Sequence, residues 1–385
     1  MADRNTKQST YLPTLDGWRA LSIALVILHH SQLGVTLPLF GPLLKWLSSI
    51  GEVGVEIFFA ISGLLICSRL LDEEARTTRI NVKAFYMRRC FRILPAALFY
   101  LLVIAILGAF HVIPLLPLDW FGALFFFRNY AMVAAYLQHS PLALHWYTGH
   151  FWSLSMEEHF YLVLPAVLVC FRKLRFQVLG GMAVAIILWR SFWAHVMHNT
   201  YQLSFRTDTH VDALLIPAMI AVALYPVLNN RAARRYLPAC SFPILLAVEI
   251  ALLLSKVPLF FMLQAIVLPL LILSTVLHPK TIPGSVLEFP WLRWVGLISY
   301  SLYLWQQLFF GVNFAGSPPG LAVLRQPPIS FLALFACATF SYYLIEKPFM
   351  RCGHHLVSHS FVRAACSETG QSLPGARYCS PQDVA

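Results

Sequence analysis

The sequence predicts an all-α integral membrane protein with about ten transmembrane helices, both termini in the cytoplasm and one re-entrant or non-crossing outer segment near residues 119–150. Three observations lead there. Of the 385 residues, 58% are hydrophobic and only 12% are charged, where a soluble domain carries about 25% charged residues. The mean hydropathy is +0.68, which implies more apolar surface than a water-soluble fold of this length can hide. The basic residues gather in short clusters between apolar runs. The net charge of +11 therefore reads as a membrane-flanking collar and not as a nucleic-acid surface.

A span needs about 20 largely apolar residues. Met1 to Thr10 is polar, and the run behind it continues past any small-residue cleavage site, so 15–38 is expected as a retained first span. Further runs follow near 51–70, 94–114, 157–171, 176–195, 211–228, 242–255, 258–277, 295–314 and 329–346. Residues 119–136 are also apolar, but Arg128 and Asn129 interrupt them. If that segment does not cross, all of the 28 Lys and Arg residues except Lys45, Arg128, Arg190, Arg206, Lys256 and Arg325 fall in the cytoplasm, as the positive-inside rule requires. A crossing there would move the clusters at Arg172–Arg175 and Arg231–Arg235 outside. The expected organisation is a membrane domain over 1–350 and a polar tail over 351–385, too short to build a core. Cys337 lies within the last span and the other cysteines at or beyond cytoplasmic ends, so no disulfide framework is expected. No metal-ligand spacing such as CxxC occurs, and no metal or bound cofactor is expected.

Ionisable side chains inside spans are costly and mark function. The first span carries Arg19 and His30, eleven residues apart. At about 100° and 1.5 Å per residue, both project from one face, about 16 Å apart along the axis. A guanidinium at the cytoplasmic end and an imidazole near mid-membrane thus form a line across half the bilayer. A snorkelling arginine with a packed histidine is the alternative. Arg88, Arg89 and Arg92 open the third span on nearly one face, and guanidinium forks suit phosphate oxygens. An ordinary basic collar explains them equally. Glu157 and Glu158 begin the fourth span on its outer side, where the helix dipole favours carboxylates and a Ser155–Glu158 capping box is available. Trp152 precedes them, and Arg206, Asp208, His210 and Asp212 cluster at the outer entrance to the sixth span. Glu346 precedes Lys347-Pro348, where the proline is expected to end the helix. A carboxylate at a helix C-terminus opposes the dipole, so Glu346 is expected to pair with Arg19, Arg89 or Arg92.

Together these stretches resemble the membrane-bound acyltransferase family 3, the type that includes bacterial O-antigen, peptidoglycan and exopolysaccharide O-acetylases. The likeness runs in order through LDGWRALSIALVILHH, GVEIFFAISGLLI, FYMRRCFRILPA, FWSLSMEEHFYLVLPA, RTDTHVDALLIPAMIA, GLISYSLYLWQQ and SYYLIEKPF, from residue 15 to 349. The resemblance implies a catalytic role for His30, with Arg19 and Glu346 beside it. It implies donor binding by Arg89 and Arg92, with Arg88 next to them. Glu157 and Glu158 match the family's paired glutamates and, with Trp152 and Asp212, are expected to meet the acceptor. His29, Gln306 and His210 stand where the family commonly has tyrosine, histidine and arginine. The larger fused forms carry an extracytoplasmic hydrolase-like domain, which is not expected here.

The expected reaction is transfer of an acyl group, from acetyl-CoA or another short acyl-CoA, to a hydroxyl of a carbohydrate or lipid-linked glycan reached from the other side of a bacterial inner membrane. Histidine suits the role of base because its ordinary pKa lies near 6.5. A covalent acyl-His30 intermediate is a variant. A glycan or lipid-precursor transporter shares the buried charges, but transporters often show paired repeats and none is visible here. An acyltransferase for a secondary metabolite is a further alternative.

Overall fold

The computed structural model describes residues 12–31, 41–141, 145–196, 201–228, 237–255, 260–310 and 319–357. Among these the chain is helical and has no β-strand. The helices of eight residues or more are α1 (Pro13–Ser31), α2 (Gly41–Ser49), α3 (Glu52–Thr77), α4 (Val82–Ala109), α5 (Pro117–Leu124), α6 (Arg128–Leu137) and α7 (Phe151–Cys170). They continue with α8 (Arg175–Val196), α9 (Asp212–Leu228), α10 (Ser241–Leu254), α11 (Phe260–Leu277), α12 (Pro290–Leu297), α13 (Ser299–Phe309) and α14 (Ile329–Ser341), and residues 347–357 are helical again after a turn that continues α14.

Within the described residues the apolar runs of the sequence are largely helical. Six stretches are long and apolar enough to cross a bilayer: Glu52–Thr77, Val82–Ala109, Trp146–Cys170, Arg175–Val196, Phe260–Leu277 and Ile329–Val357. Asp212–Tyr225 and Ser241–Leu254 are apolar but shorter. The run at 295–314 is divided at Ile298 between α12 and α13, and residues 32–38 and 311–314 lie outside the described residues. Between α4 and α7 the described residues form the short helices α5 and α6, of 8 and 10 residues, and a 3-10 turn at Trp146–Thr148. The two helices are about 12 and 15 Å long, against a hydrocarbon core of about 30 Å.

Local chemistry sets the turn between α3 and α4. Thr78 adopts a left-handed φ of 63° and returns its N–H to Glu74 O, and the Asn81 side chain accepts from Ala84 N at 2.9 Å to start α4. The helix α1 is central, packed against α3, α12 and α13. Two close approaches make this possible. A Cβ on Gly296 would collide with the backbone carbonyl of Asp16, so only glycine lets α12 lie directly on the start of α1. Ser22 donates to Gly54 O, which brings α1 and α3 together in the same way. Trp18 Nε1 donates to Thr275 Oγ1 at 2.8 Å and ties α1 to α11. The helix α3 is enclosed on most of its length, whereas α8 is mostly exposed along its apolar sides and so supplies lipid-facing surface.

One sequence expectation is corrected here. Pro348 does not end the last helix, which runs on to Val357. A π-helical turn occupies Tyr342–Glu346, with Lys347 between it and the proline. A proline lacks an N–H and crowds the carbonyl four residues earlier, and the wider turn absorbs that mismatch without breaking the helix.

Candidate functional site

Helices α1, α3, α4, α7 and α13 enclose a cavity of about 90 Å³. Its basic end is formed by Arg19, Arg89 and Arg92, and Ser62 and Glu157 lie along its wall with Tyr300. Ser153 and Tyr303 also line it. Arg19 Nη1 is held by Asp16 Oδ1 at 2.9 Å, one helical turn before it. Arg89 meets Glu157 at 3.2 Å and Glu158 at 3.8 Å, and its guanidinium lies 3.6 Å over the Tyr161 ring. Ser62 Oγ and Tyr161 OH donate to the two oxygens of Glu157 at 3.2 and 2.9 Å. Arg92 makes no hydrogen bond or ion pair among the described residues. Its donors are therefore the ones available to an anion entering the cavity.

Several sequence placements change. Glu157 and Glu158 do not stand at a helix entrance. The helix begins at Phe151, and Ser155 Oγ donates back to Phe151 O at 2.8 Å, so no Ser155–Glu158 capping box forms. The two carboxylates lie two turns inside α7, at the depth of Arg89. The reason is antiparallel register: Tyr86 OH donates to Leu162 O, and Tyr100 OH to Tyr147 O. That register sets the middle of α7 against the start of α4. Arg88 is separated from its neighbours and pairs with Glu73 at 3.0 Å, outside the cavity lining. Its 100° offset from Arg89 decides this. Trp152 packs in T-shaped contacts with Phe59 and Phe205. Asp212 is locked by both amino groups of Arg190 at 2.7 and 2.9 Å. Neither lines the cavity.

Glu346 is buried and accepts from Ser301 Oγ at 2.9 Å. Among the described residues it makes no ion pair within 4 Å, in contrast to the expectation of a direct arginine partner. Arg92 and Arg19 are near enough to act on it through space.

His30 closes the last turn of α1 and is not part of the cavity lining. A polar column joins the two. Tyr303 OH donates to His150 O at 3.0 Å and lies within hydrogen-bond reach of Ser153 Oγ at 2.6 Å. Gln307 Oε1 accepts from His150 N at 3.2 Å and from His150 Nδ1 at 2.7 Å. Trp146 Nε1 donates to Gln307 O at 2.9 Å, and the Trp146 ring meets the His30 ring edge-on at 5.5 Å. His30 Nδ1 lies 2.9 Å from Val26 O. A carbonyl only accepts, so Nδ1 carries the proton and Nε2 keeps its lone pair. The same logic protonates His150 at Nδ1, leaving its buried Nε2 without a hydrogen-bond partner among the described residues. Ser62, His150, Ser153, Tyr300, Tyr303 and Gln307 were not singled out in the sequence. The spacing of Tyr300, Tyr303 and Gln307 at i, i+3 and i+7, a polar stripe on an apolar helix, was the available signal.

The remaining polar cluster, at the start of α9, is ordered by Asp208. It accepts from Arg206 Nε at 3.0 Å, Trp189 Nε1 at 3.0 Å and Tyr130 OH at 3.1 Å. Burial raises its pKa, but these donors outweigh burial and hold the carboxyl below its ordinary 3.8. His210 pairs with buried Glu56 at 2.7 Å, and His29 Nδ1 binds Ser48 O at 2.6 Å. Among the described residues no group of three or more His, Cys, Asp or Glu side chains could hold a metal ion.

The family model described as an acyltransferase domain matches residues 12–346. The chain is 27% identical over 381 residues to the peptidoglycan O-acetyltransferase OatA of Listeria monocytogenes, covering 91% of this chain and 58% of the relative. It is 29% identical over 384 residues to a Staphylococcus aureus protein named "Putative O-acetyltransferase", covering 90% and 58%. With "Putative peptidoglycan O-acetyltransferase YrhL" of Bacillus subtilis it shares 27% over 371 residues, covering 89% and 55%. The chain therefore spans less than two thirds of the length of these relatives. No solved structure matches it. The family match covers all the helices that build the cavity, and with the six bilayer-length helices it identifies the chain as a multi-pass membrane protein that belongs to the acyltransferase family 3.

Proposed function

We propose that this chain transfers a short acyl group, acetyl in the first instance, from acyl-CoA in the cytoplasm to a hydroxyl of a carbohydrate presented on the other side of the membrane. The observation that carries the reading is the cavity with three arginines at one end and a polar column leading from it to His30. Arg89 and Arg92 suit the phosphates of the donor, and Arg92 makes no hydrogen bond and no ion pair within 4 Å among the described residues. Arg19 and Glu346 set the field at the same end. His30, neutral with Nε2 unprotonated, is the base that takes the acceptor hydroxyl's proton, and the acyl carbonyl needs donors such as Tyr303 or Ser153 as charge develops on its oxygen. Glu157 and Glu158 act by holding Arg89 in place, which is their geometry here, instead of by contacting the acceptor. The names of the relatives support a cell-wall carbohydrate acceptor. In this reading the ten helical runs cross the membrane, both termini are cytoplasmic, the 119–150 segment does not cross, and the membrane is the bacterial inner membrane.

The test is labelled acetyl-CoA supplied to membranes, followed by identification of the labelled product. His30→Ala at normal protein level is expected to abolish transfer, and Arg89→Ala/Arg92→Ala to weaken acyl-CoA binding. Full transfer by the His30 variant, or movement of an unmodified glycan without label, would sink the proposal.

A further inference from the structure

Next to the His30 end of the bundle, in the segment between α4 and α7, three side chains stand in sequence. Ser140 Oγ lies 2.7 Å from His145 Nε2, and His145 Nδ1 lies 2.6 Å from Asp119 Oδ2. Asp119 and His145 are buried, and Ser140 is half-buried. Proton positions follow from the chemistry. An ionised carboxylate only accepts, so Nδ1 carries the hydrogen, Nε2 has the lone pair, and the serine hydroxyl donates to it. This is the order of nucleophile, base and orienting acid that activates a serine. Distances of 2.6–3.2 Å are the reach such a relay needs.

The surrounding structure fixes each member. Asp119 sits in the first turn of α5, its other oxygen 3.4 Å from Arg128 Nη2. Arg128, fully buried, also donates to Thr148 Oγ1 and to His145 O, both at 3.0 Å. Ser140 follows the end of α6, where His139 takes a φ of 54° and Ser140 N closes on Ala135 O at 3.0 Å. A clip between α5 and the turn before Trp146 would need only the Asp119–His145 bond. The serine at the accessible end of the chain of bonds adds a group that can react.

We propose that Ser140, His145 and Asp119 form a second acyl-transfer site, in which Ser140 takes a short acyl group as an ester and hands it to a hydroxyl. In the first half, Ser140 Oγ bonds to the carbonyl carbon of an activated acyl ester or thioester while its proton passes to His145 Nε2. The bond from the carbonyl carbon to the carrier breaks, and the imidazolium returns the proton to the leaving thiolate or alkoxide. In the second half, an acceptor hydroxyl attacks the Ser140 ester, its proton goes to Nε2, and Ser140 Oγ leaves and takes that proton back. The place of this site in the overall transfer rests on the reading above. Its reactivity as a serine nucleophile does not.

The experiment treats membranes containing the full chain with a fluorophosphonate probe and maps the adduct by peptide mass spectrometry. An adduct on Ser140, lost in His145→Ala and kept in His30→Ala, is the expected result. Ser140→Ala, at unchanged protein level, is expected to lower acceptor acylation about 100-fold or more. A wild-type chain without a Ser140 adduct, under conditions that label a serine hydrolase added to the same membranes, overturns the site. Undiminished acylation by Ser140→Ala overturns its role in transfer. If the wild-type chain transfers no label from acetyl-CoA yet carries the adduct, the cytoplasmic donor reading fails and the serine site stands.

Discussion

The contact between Arg89 and Glu157 can be broken from either side, and the two breaks are not equivalent. Both side chains are largely enclosed, at 11% and 14% exposure. At 3.2 Å and an effective dielectric constant of about 20, their attraction is about 5 kcal/mol. Glu158 at 3.8 Å contributes about 4 kcal/mol on the same basis. Desolvation of the three ions offsets much of this, so replacing the whole cluster costs less than removing one member. Arg89→Ala leaves two adjacent carboxylates beside each other without their cation and is expected to destabilise the fold by about 3–5 kcal/mol. Glu157→Gln keeps an oxygen for Ser62 or Tyr161 and leaves Arg89 with Glu158, so its cost is smaller. In the double variant the carboxylate that suffers most is gone. The coupling energy is expected to be about 2–3 kcal/mol in the direction of rescue. The assay is reversible unfolding of the four proteins in mixed micelles by titration with a denaturing detergent. Effects that add to within about 0.5 kcal/mol would mean that the two side chains do not meet and that α4 and α7 do not share this register.

Other perturbations probe separate parts of the molecule. Gly296→Ala would force a methyl group into the Asp16 backbone and is expected to cost about 3 kcal/mol or more, since backbone cannot give way as a side chain can; the fraction of monodisperse protein after extraction checks this. Glu346→Gln keeps an acceptor for Ser301 but removes the charge, and is expected to lower acyl transfer about 10-fold or more at unchanged yield, measured with labelled acetyl-CoA. Asp208 has a folded pKa below its ordinary 3.8. The stability it contributes is therefore present above pH 3.8 and lost as the pH falls through the folded value. Arg206→Ala should reduce that acid-side loss, visible as a flatter dependence of the unfolding midpoint on pH below pH 4, with a neutral-pH midpoint already lower.

What could be read in advance divides along physical lines. Long apolar runs report their own helicity because lipid leaves the backbone no other partner, and so these runs are largely helical among the described residues. The Arg19–His30 face was readable for the same reason: both residues belong to one helix, whose geometry fixes their relation. Relations between helices were not. The depth of Glu157 follows from the register of α7 on α4, set by bonds such as Tyr86 to Leu162 that no local pattern announces. Arg88 and Arg89 differ by one position, yet one meets Glu73 and the other Glu157. The polar column through Tyr303, His150 and Gln307 draws on side chains more than a hundred residues apart. Asp119, Ser140 and His145 were hidden because the hydroxyl and the acid are common loop residues until the chain folds them onto one imidazole.

The π-helical turn at Tyr342–Glu346 has a geometric consequence for Glu346. It holds one more residue than an α-helical turn over the same length, so everything after it is rotated by about 100° relative to a regular continuation of α14. Glu346 faces Ser301 only in that rotated frame. Taking one residue out of 342–345 would restore a regular helix and swing the carboxylate toward a neighbouring face, away from the arginine end of the cavity. A change in chain length by a single residue, with every side chain of the site retained, would thereby take the charge from where Arg92 and Arg19 can feel it. The turn acts as a key for angular alignment, and Pro348 behind it keeps that key from unwinding into an ordinary helix.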